Sequence, residues 1–213
     1  MIEVKSLVLG IVGTNCYIVY EKNKKEAVLI DPAAEEERII SFLEGADLEP
    51  KAILLTHGHF DHILAVPALR EKYRIPLYAA EEEREMLGNG QYNMSGRDPE
   101  GRVEIHDFIG LHDGDELELL GRKWKVLSTP GHTKGSVCFF VEGNPPYLFS
   151  GDTLFSESYG RTDLFSGSEK EIIQSIREKL FTLPEETLVF PRHEESTTIR
   201  NEKRYNPVNF FRE

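Results

Sequence analysis

The chain has 213 residues, large for one domain but within the range of a single α/β core, and its 39% hydrophobic and 29% charged residues are the balance of a soluble globular protein. Thirty-seven acids against 25 bases leave a formal charge of −12, which argues against a nucleic-acid surface. No apolar run reaches membrane-spanning length and the N-terminus lacks a signal-peptide pattern, so the expectation is a cytoplasmic protein with no membrane partner.

Residues 2–9, 16–20 and 27–30 are short apolar runs separated by Gly13-Thr14-Asn15 and by the polar stretch 21–25, the spacing of an antiparallel meander. Asp31-Pro32 ends the third run, and Ile39, Ile40 and Leu43 then mark one face of a helix. Residues 51–55 read as a buried strand that runs into Thr56-His57-Gly58-His59-Phe60-Asp61-His62. A helix over 63–73 with Pro67 near its start, a strand over 76–79 and an acidic helix over 81–87 follow. Residues 88–114 carry Gly- and Asn-rich loop chemistry and form the expected seam between halves of about 1–114 and 115–213. The second half has expected strands at 116–120, 123–128, 136–142 and 147–149. A helix opened by the capping box Ser168-Glu169-Lys170-Glu171 carries Ile172, Ile173, Ile176 and Leu180 on one face. A strand at 188–190 and a helix at 197–204 complete the pattern. Strands then a helix, twice over and with no low-complexity linker, predict one α/β domain of two sheets packed face to face with helices outside. Cys16 and Cys138 fall inside strand runs and are expected to be buried free thiols.

The chemistry concentrates at strand ends. Three imidazoles and one carboxylate fall within residues 57–62, directly after a strand, where α/β sheets carry their sites. Neutral imidazole and carboxylate suit zinc and similar divalent ions. Three more strand ends lead into a potential ligand, in Thr129-Pro130-Gly131-His132, Ser150-Gly151-Asp152 and Phe190-Pro191-Arg192-His193. Together with the first cluster these can complete two metal shells. His106 and His112 have no partner at ligand spacing and are expected to be exposed or capping residues.

The order H-x-H-x-D-H, then His, Asp and His, resembles the metallo-β-lactamase superfamily. Asn15-Cys16-Tyr17-Ile18, the 56–62 cluster, Pro130-Gly131-His132-Thr133, residues 150–155 and Gly160-Arg161-Thr162-Asp163 resemble its short glyoxalase II-like, or hydroxyacylglutathione hydrolase-like, members. The resemblance runs from about residue 7 to about residue 207. It implies a four-layer αββα sandwich with two mixed sheets. It also implies His57, His59 and His132 on one metal, and Asp61, His62 and His193 on a second, with Asp152 bridging. Two zinc ions follow first from that likeness, with iron or manganese as alternatives. The implied activity is that of a thioesterase cleaving S-lactoylglutathione or a related small-molecule acyl thioester with a metal-bridged hydroxide, and Asp61, His62 and Asp152 stand closest to the chemistry. The alternative is a mononuclear iron persulfide dioxygenase of the same fold, with iron on His57, His132 and Asp152.

Two departures from the family pattern bear on substrate. Full-length glyoxalase II has a C-terminal helical domain that supplies basic residues for glutathione. Here twenty residues follow His193, so that domain is expected to be absent. Arg161 then either contacts the anionic end of the substrate or pairs with Asp163. Arg192 and Glu194 stand where the family has glycines. Arg192 either takes up a substrate carboxylate or is neutralised by Glu194 or Glu195.

Overall fold

The computed structural model describes residues 2–97, 101–193 and 195–211. The chain divides into two units, residues 1–111 with 119–121 and residues 112–118 with 122–213. The first holds a six-stranded mixed sheet in the order β1 (Ile2–Leu9), β2 (Thr14–Glu21), β3 (Glu26–Ile30), β4 (Glu49–Leu54), β5 (Leu77–Ala80) and β6 (Ile109–Leu111). β1 to β3 form the expected antiparallel meander, and β3 to β6 run parallel. Parallel neighbours need a crossover, and α1 (Glu36–Gly45) supplies the one between β3 and β4. Its Ile39 and Leu43 join Cys16, Ile18, Leu29 and Ile53 in one buried cluster, so alternate strand residues meet the helix face.

Three local expectations change in this unit. The helix expected over 63–73 is two helices, α2 (Phe60–Ile63) and α3 (Val66–Tyr73), with Pro67 in the first turn of α3. Proline cannot donate to the carbonyl four residues back, so a helix running through from 63 would be broken there. The acidic run 81–87 is a 3₁₀ turn at Glu81–Glu83 followed by α4 (Arg84–Leu87). Glu83 points inward and is buried. Inside the expected loop, Ile109–Leu111 pairs with β5, a strand too short to show alternation.

The second unit contains β7 (Glu116–Leu119), β8 (Arg122–Ser128), β9 (Val137–Val141), β10 (Tyr147–Gly151), the hairpin β11 (Leu154–Phe155) and β12 (Ser158–Tyr159), β13 (Leu188–Pro191) and β14 (Thr197–Thr198). Its main sheet has the order β14-β13-β10-β9-β8-β7. β10 and β13 are parallel across α5 (Glu169–Glu178), and β13 pairs antiparallel with β14. Ser168 caps α5 by accepting from the Glu171 N–H, as the capping box predicts. Ile172 and Ile176 are buried against Cys138, Phe140, Leu148 and Val189, each isoleucine contributing about 1.5–3 kcal/mol. Leu180 is buried too, but in a 3₁₀ turn beyond the helix. On the opposite sheet face the rings of Trp124, Phe149 and Phe190 stack with centroids 5.7 and 5.2 Å apart. Thr197 and Thr198, expected in a helix, pair with β13 instead, and α6 (Ile199–Tyr205) starts after them.

The expected α/β class, with two mixed sheets and helices, is therefore what the chain adopts. Both cysteines are buried free thiols. No helix among the described residues is long and apolar enough to cross a membrane. β8 and β10 each run antiparallel to β9, so β8, β10 and β13 all end at the same sheet edge.

Candidate metal centre

In the first unit, parallel register brings the residues just past β3 and β4 side by side, because Ile30 faces Leu54. Asp31 is buried there in the left-handed region, with φ +49°. Its N–H donates to the Leu54 carbonyl at 3.0 Å, and its carboxylate accepts from the Thr56 N–H at 2.8 Å and the Thr56 hydroxyl at 2.7 Å. The same carboxylate lies 3.2 Å from His62 Nδ1. A proton held on Nδ1 by that contact leaves the Nε2 lone pair to face outward, the arrangement metal-binding histidines use.

The loop from β4 to α2 carries His57 and His59. His57 Nε2 is 2.9 Å from His59 Nδ1, and the His57 and His62 rings are 3.7 Å apart. All three imidazoles are at most 3% exposed. Ring nitrogens as close as those of His57 and His59 suit convergence on one ion at about 2.0–2.1 Å from each. Asp61 Oδ2 is 3.9 Å from His62 Nε2 and accepts from the Thr14 hydroxyl at 3.4 Å. Two contacts fix the loop itself: Gly58 N–H donates to Glu83 Oε2 at 2.7 Å, and Phe60 N–H to the Asn93 carbonyl at 2.7 Å.

In the second unit, His132, Asp152 and His193 follow β8, β10 and β13. Gly131 has φ +139°, and a Cβ there would fall 2.2 Å from the Ile172 nitrogen. Only glycine lets this turn press onto the start of α5, where the Ser168 N–H donates to the Gly131 carbonyl at 2.7 Å. His132 Nδ1 donates to the Arg161 carbonyl at 2.7 Å, which directs Nε2 toward Asp152 Oδ2, 3.5 Å away. An imidazole lone pair facing a carboxylate is unfavourable unless a proton or a cation lies between them. The donor chemistry thus fits a divalent ion in both units. His193 is half-buried, edge-on to Phe155 at 6.0 Å between centroids.

The structure brings His57, His59, Asp61 and His62 together in one unit and His132 with Asp152 in the other. The Arg161 guanidinium makes two hydrogen bonds to Asp163, at 2.7 and 2.8 Å, and this contact lowers the Asp163 pKa to about 2. Arg192 is buried, its N–H donating to the Gly151 carbonyl at 3.2 Å. Glu195 is exposed, and the pairing expected with Glu194 falls outside the described residues. His106 and His112 are exposed, as expected. Sequence reasoning did not single out Asp31, Glu83 or the Arg161 carbonyl. Asp31 carried a signal, being an acid one residue past a buried strand. A backbone carbonyl carries none.

A family model for the metallo-β-lactamase superfamily matches residues 9–193. The probable metallo-hydrolase YqgX of Bacillus subtilis is 38% identical over 201 residues, 93% of each chain. The hydroxyacylglutathione hydrolase GloC of Haemophilus influenzae is 35% identical over 197 residues, 91% of each chain. Among solved structures, BLEG-1 B3 metallo-β-lactamase matches with TM-score 0.90 and 38% identity over 98% of this chain and 100% of that one. TTHA1623 in a di-iron-bound form matches with TM-score 0.83 and 34% identity over 96% and 99%. ETHE1 from Myxococcus xanthus matches with TM-score 0.77 and 31% identity over 96% and 83%.

Proposed function

We propose that this chain, which belongs to the metallo-β-lactamase superfamily, hydrolyses acyl thioesters of the S-lactoylglutathione type with the help of bound divalent metal. The observation that carries the reading is the set of buried imidazoles, whose ring nitrogens converge beside Asp61 in one unit and turn toward Asp152 in the other. In this reading His57, His59 and His132 hold one ion, Asp61, His62 and His193 hold the second, and Asp152 is shared. Two ions so held would supply a water that is hydroxide near neutral pH and Lewis-acid polarisation of the thioester carbonyl. The chain's own part is to fix geometry. Asp31 and the Arg161 carbonyl hold the histidine tautomers, and Asp61 would help to hold the ion and orient the attacking water. No side-chain nucleophile is required, and both cysteines are buried.

The likeness to GloC, a hydroxyacylglutathione hydrolase, supports this substrate class. Zinc suits mixed nitrogen and oxygen donors, while the di-iron form of TTHA1623 keeps iron in view, with manganese a further candidate. A second reading has one observation behind it, the structural likeness to ETHE1: a persulfide dioxygenase with a single iron on His57, His132 and Asp152.

Anaerobic purification, metal analysis and two assays separate the readings. About two metal ions per chain, with hydrolysis of a lactoyl thioester, is the expected result. One iron per chain with oxygen uptake on a glutathione persulfide would establish the second reading. Asp152→Ala should lose metal together with hydrolysis, and a variant with full metal and normal turnover would remove Asp152 from the shared position.

A further inference from the structure

We infer that Glu202 and Asn206 form a latch at the C-terminal helix that positions His132 as a metal donor through the β11–β12 hairpin. The inference rests on the reading of His132 as a ligand. Glu202 lies on α6 and is fully buried. One carboxylate oxygen accepts from the Thr197 hydroxyl at 2.7 Å and from Asn201 Nδ2 at 3.0 Å. The other accepts from Asn206 Nδ2 at 2.8 Å and from the Glu157 N–H at 2.9 Å. Four donors fill the acceptor sites of a carboxylate, so this side chain has one arrangement.

Two of the groups it organises belong to the hairpin turn. Glu157 takes φ +54°, a left-handed conformation that a non-glycine residue keeps only when its surroundings enforce it. Asn206 Nδ2 also donates to the Ser158 carbonyl at 2.9 Å. Both turn residues are therefore tied to the latch. At the start of the hairpin, the Ser150 hydroxyl donates to the Leu154 carbonyl at 2.7 Å.

The exit of the hairpin meets the candidate donors directly. A Cβ on Gly160 would fall 1.8 Å from the Asp152 carbonyl oxygen and 3.3 Å from His132 Nδ1, so the chain there lies against both residues. The next carbonyl, that of Arg161, accepts the His132 Nδ1 proton at 2.7 Å. Moving the turn moves this carbonyl, and with it the group that selects the His132 tautomer. A helix that needed only to be buried would be served by apolar residues, since a buried carboxylate is costly unless its partners are fixed.

The test compares Glu202→Gln and Asn206→Ala with Arg200→Ala, an exposed residue on the same helix paired with Glu185. Two quantities are measured: the imidazole ¹⁵N NMR tautomer of His132 in metal-free protein, and zinc affinity by chelator competition. Glu202→Gln should mix the His132 tautomers and weaken zinc binding about 10–100-fold, with a smaller loss for Asn206→Ala and none for Arg200→Ala. Lower thermal stability with the His132 tautomer intact and zinc affinity within about twofold of the parent would overturn the latch. If Glu202→Gln does not fold, Asn206→Ala decides by the same criteria. A parent protein that binds no zinc, iron or manganese would instead sink the functional reading, and the tautomer measurement would still decide the latch.

Discussion

His62 and His132 share one device. Each turns Nδ1 toward a fixed oxygen, the Asp31 carboxylate at 3.2 Å and the Arg161 carbonyl at 2.7 Å, and so offers Nε2 outward. Asp31→Asn should keep the fold while weakening metal binding about 10–100-fold in chelator competition, and unchanged affinity would show that Thr56 alone holds the loop. Arg161 engages Asp163 through its side chain, which leaves its carbonyl as the link to the candidate site. Asp163 is exposed and its folded pKa is lowered to about 2. Any stabilisation from this pair is therefore present above the ordinary carboxylate value and fades as pH falls toward about 2. In an NMR titration the Asp163 midpoint should rise in Arg161→Ala to about 3.9. An unmoved midpoint would mean that the ion pair is not formed in solution.

At the scale of elements, the turns after the strands carry more of the constraint than the strands do. Gly131 presses onto the backbone of α5 at a φ of +139°, where no side chain fits. Gly131→Ala should cost more than about 2 kcal/mol and lower the melting temperature by several degrees, because backbone rather than a mobile side chain must give way. Ile172→Ala, a cavity beneath the same turn, should cost about 2–5 kcal/mol. Calorimetry of both variants tests this, and a Gly131→Ala melt equal to the parent's would mean that the turn relaxes freely. α2 belongs to the same class of feature. It is one turn long, from Phe60 to Ile63, and carries Asp61 and His62. A helix of that length has no stability of its own and is held by its surroundings.

For the whole molecule, a formal charge of −12 makes divalent cations a favourable addition and a polyanionic partner an unfavourable one. If metal binds the folded chain only, chelation should lower the melting temperature and re-addition should restore it. A melting curve indifferent to chelator would count against resident metal. His106→Ala and His112→Ala should leave metal content unchanged, since both residues are exposed and stand apart from the donor clusters. The Arg161 guanidinium is taken up by Asp163, so shortening the glutathione end of a thioester should change kcat/KM little. A preference on the order of a hundredfold for the glutathione ester, ~2.7 kcal/mol, would reveal a dedicated pocket.

The sequence by itself determined the α/β class and the order of the main strands and helices, because apolar periodicity is a local property of the chain, and its motifs around His57, His59, Asp61 and His62 carried the resemblance to the family. It pointed to His132, Asp152 and His193 for the same reason, each following a recognisable strand. Only tertiary structure decided the rest. The pairing of β14 with β13 and the contacts of Glu202 and Asn206 with the β11–β12 hairpin depend on neighbours distant in sequence, and strands of two residues carry no periodic signal. The partners of the imidazoles were illegible on the same ground. Asp31 reaches Thr56 and His62 because β3 and β4 are parallel, and the Arg161 carbonyl reaches His132 across 29 positions of chain. A carbonyl has no side-chain identity to read, and a carboxylate's role depends on what register places beside it.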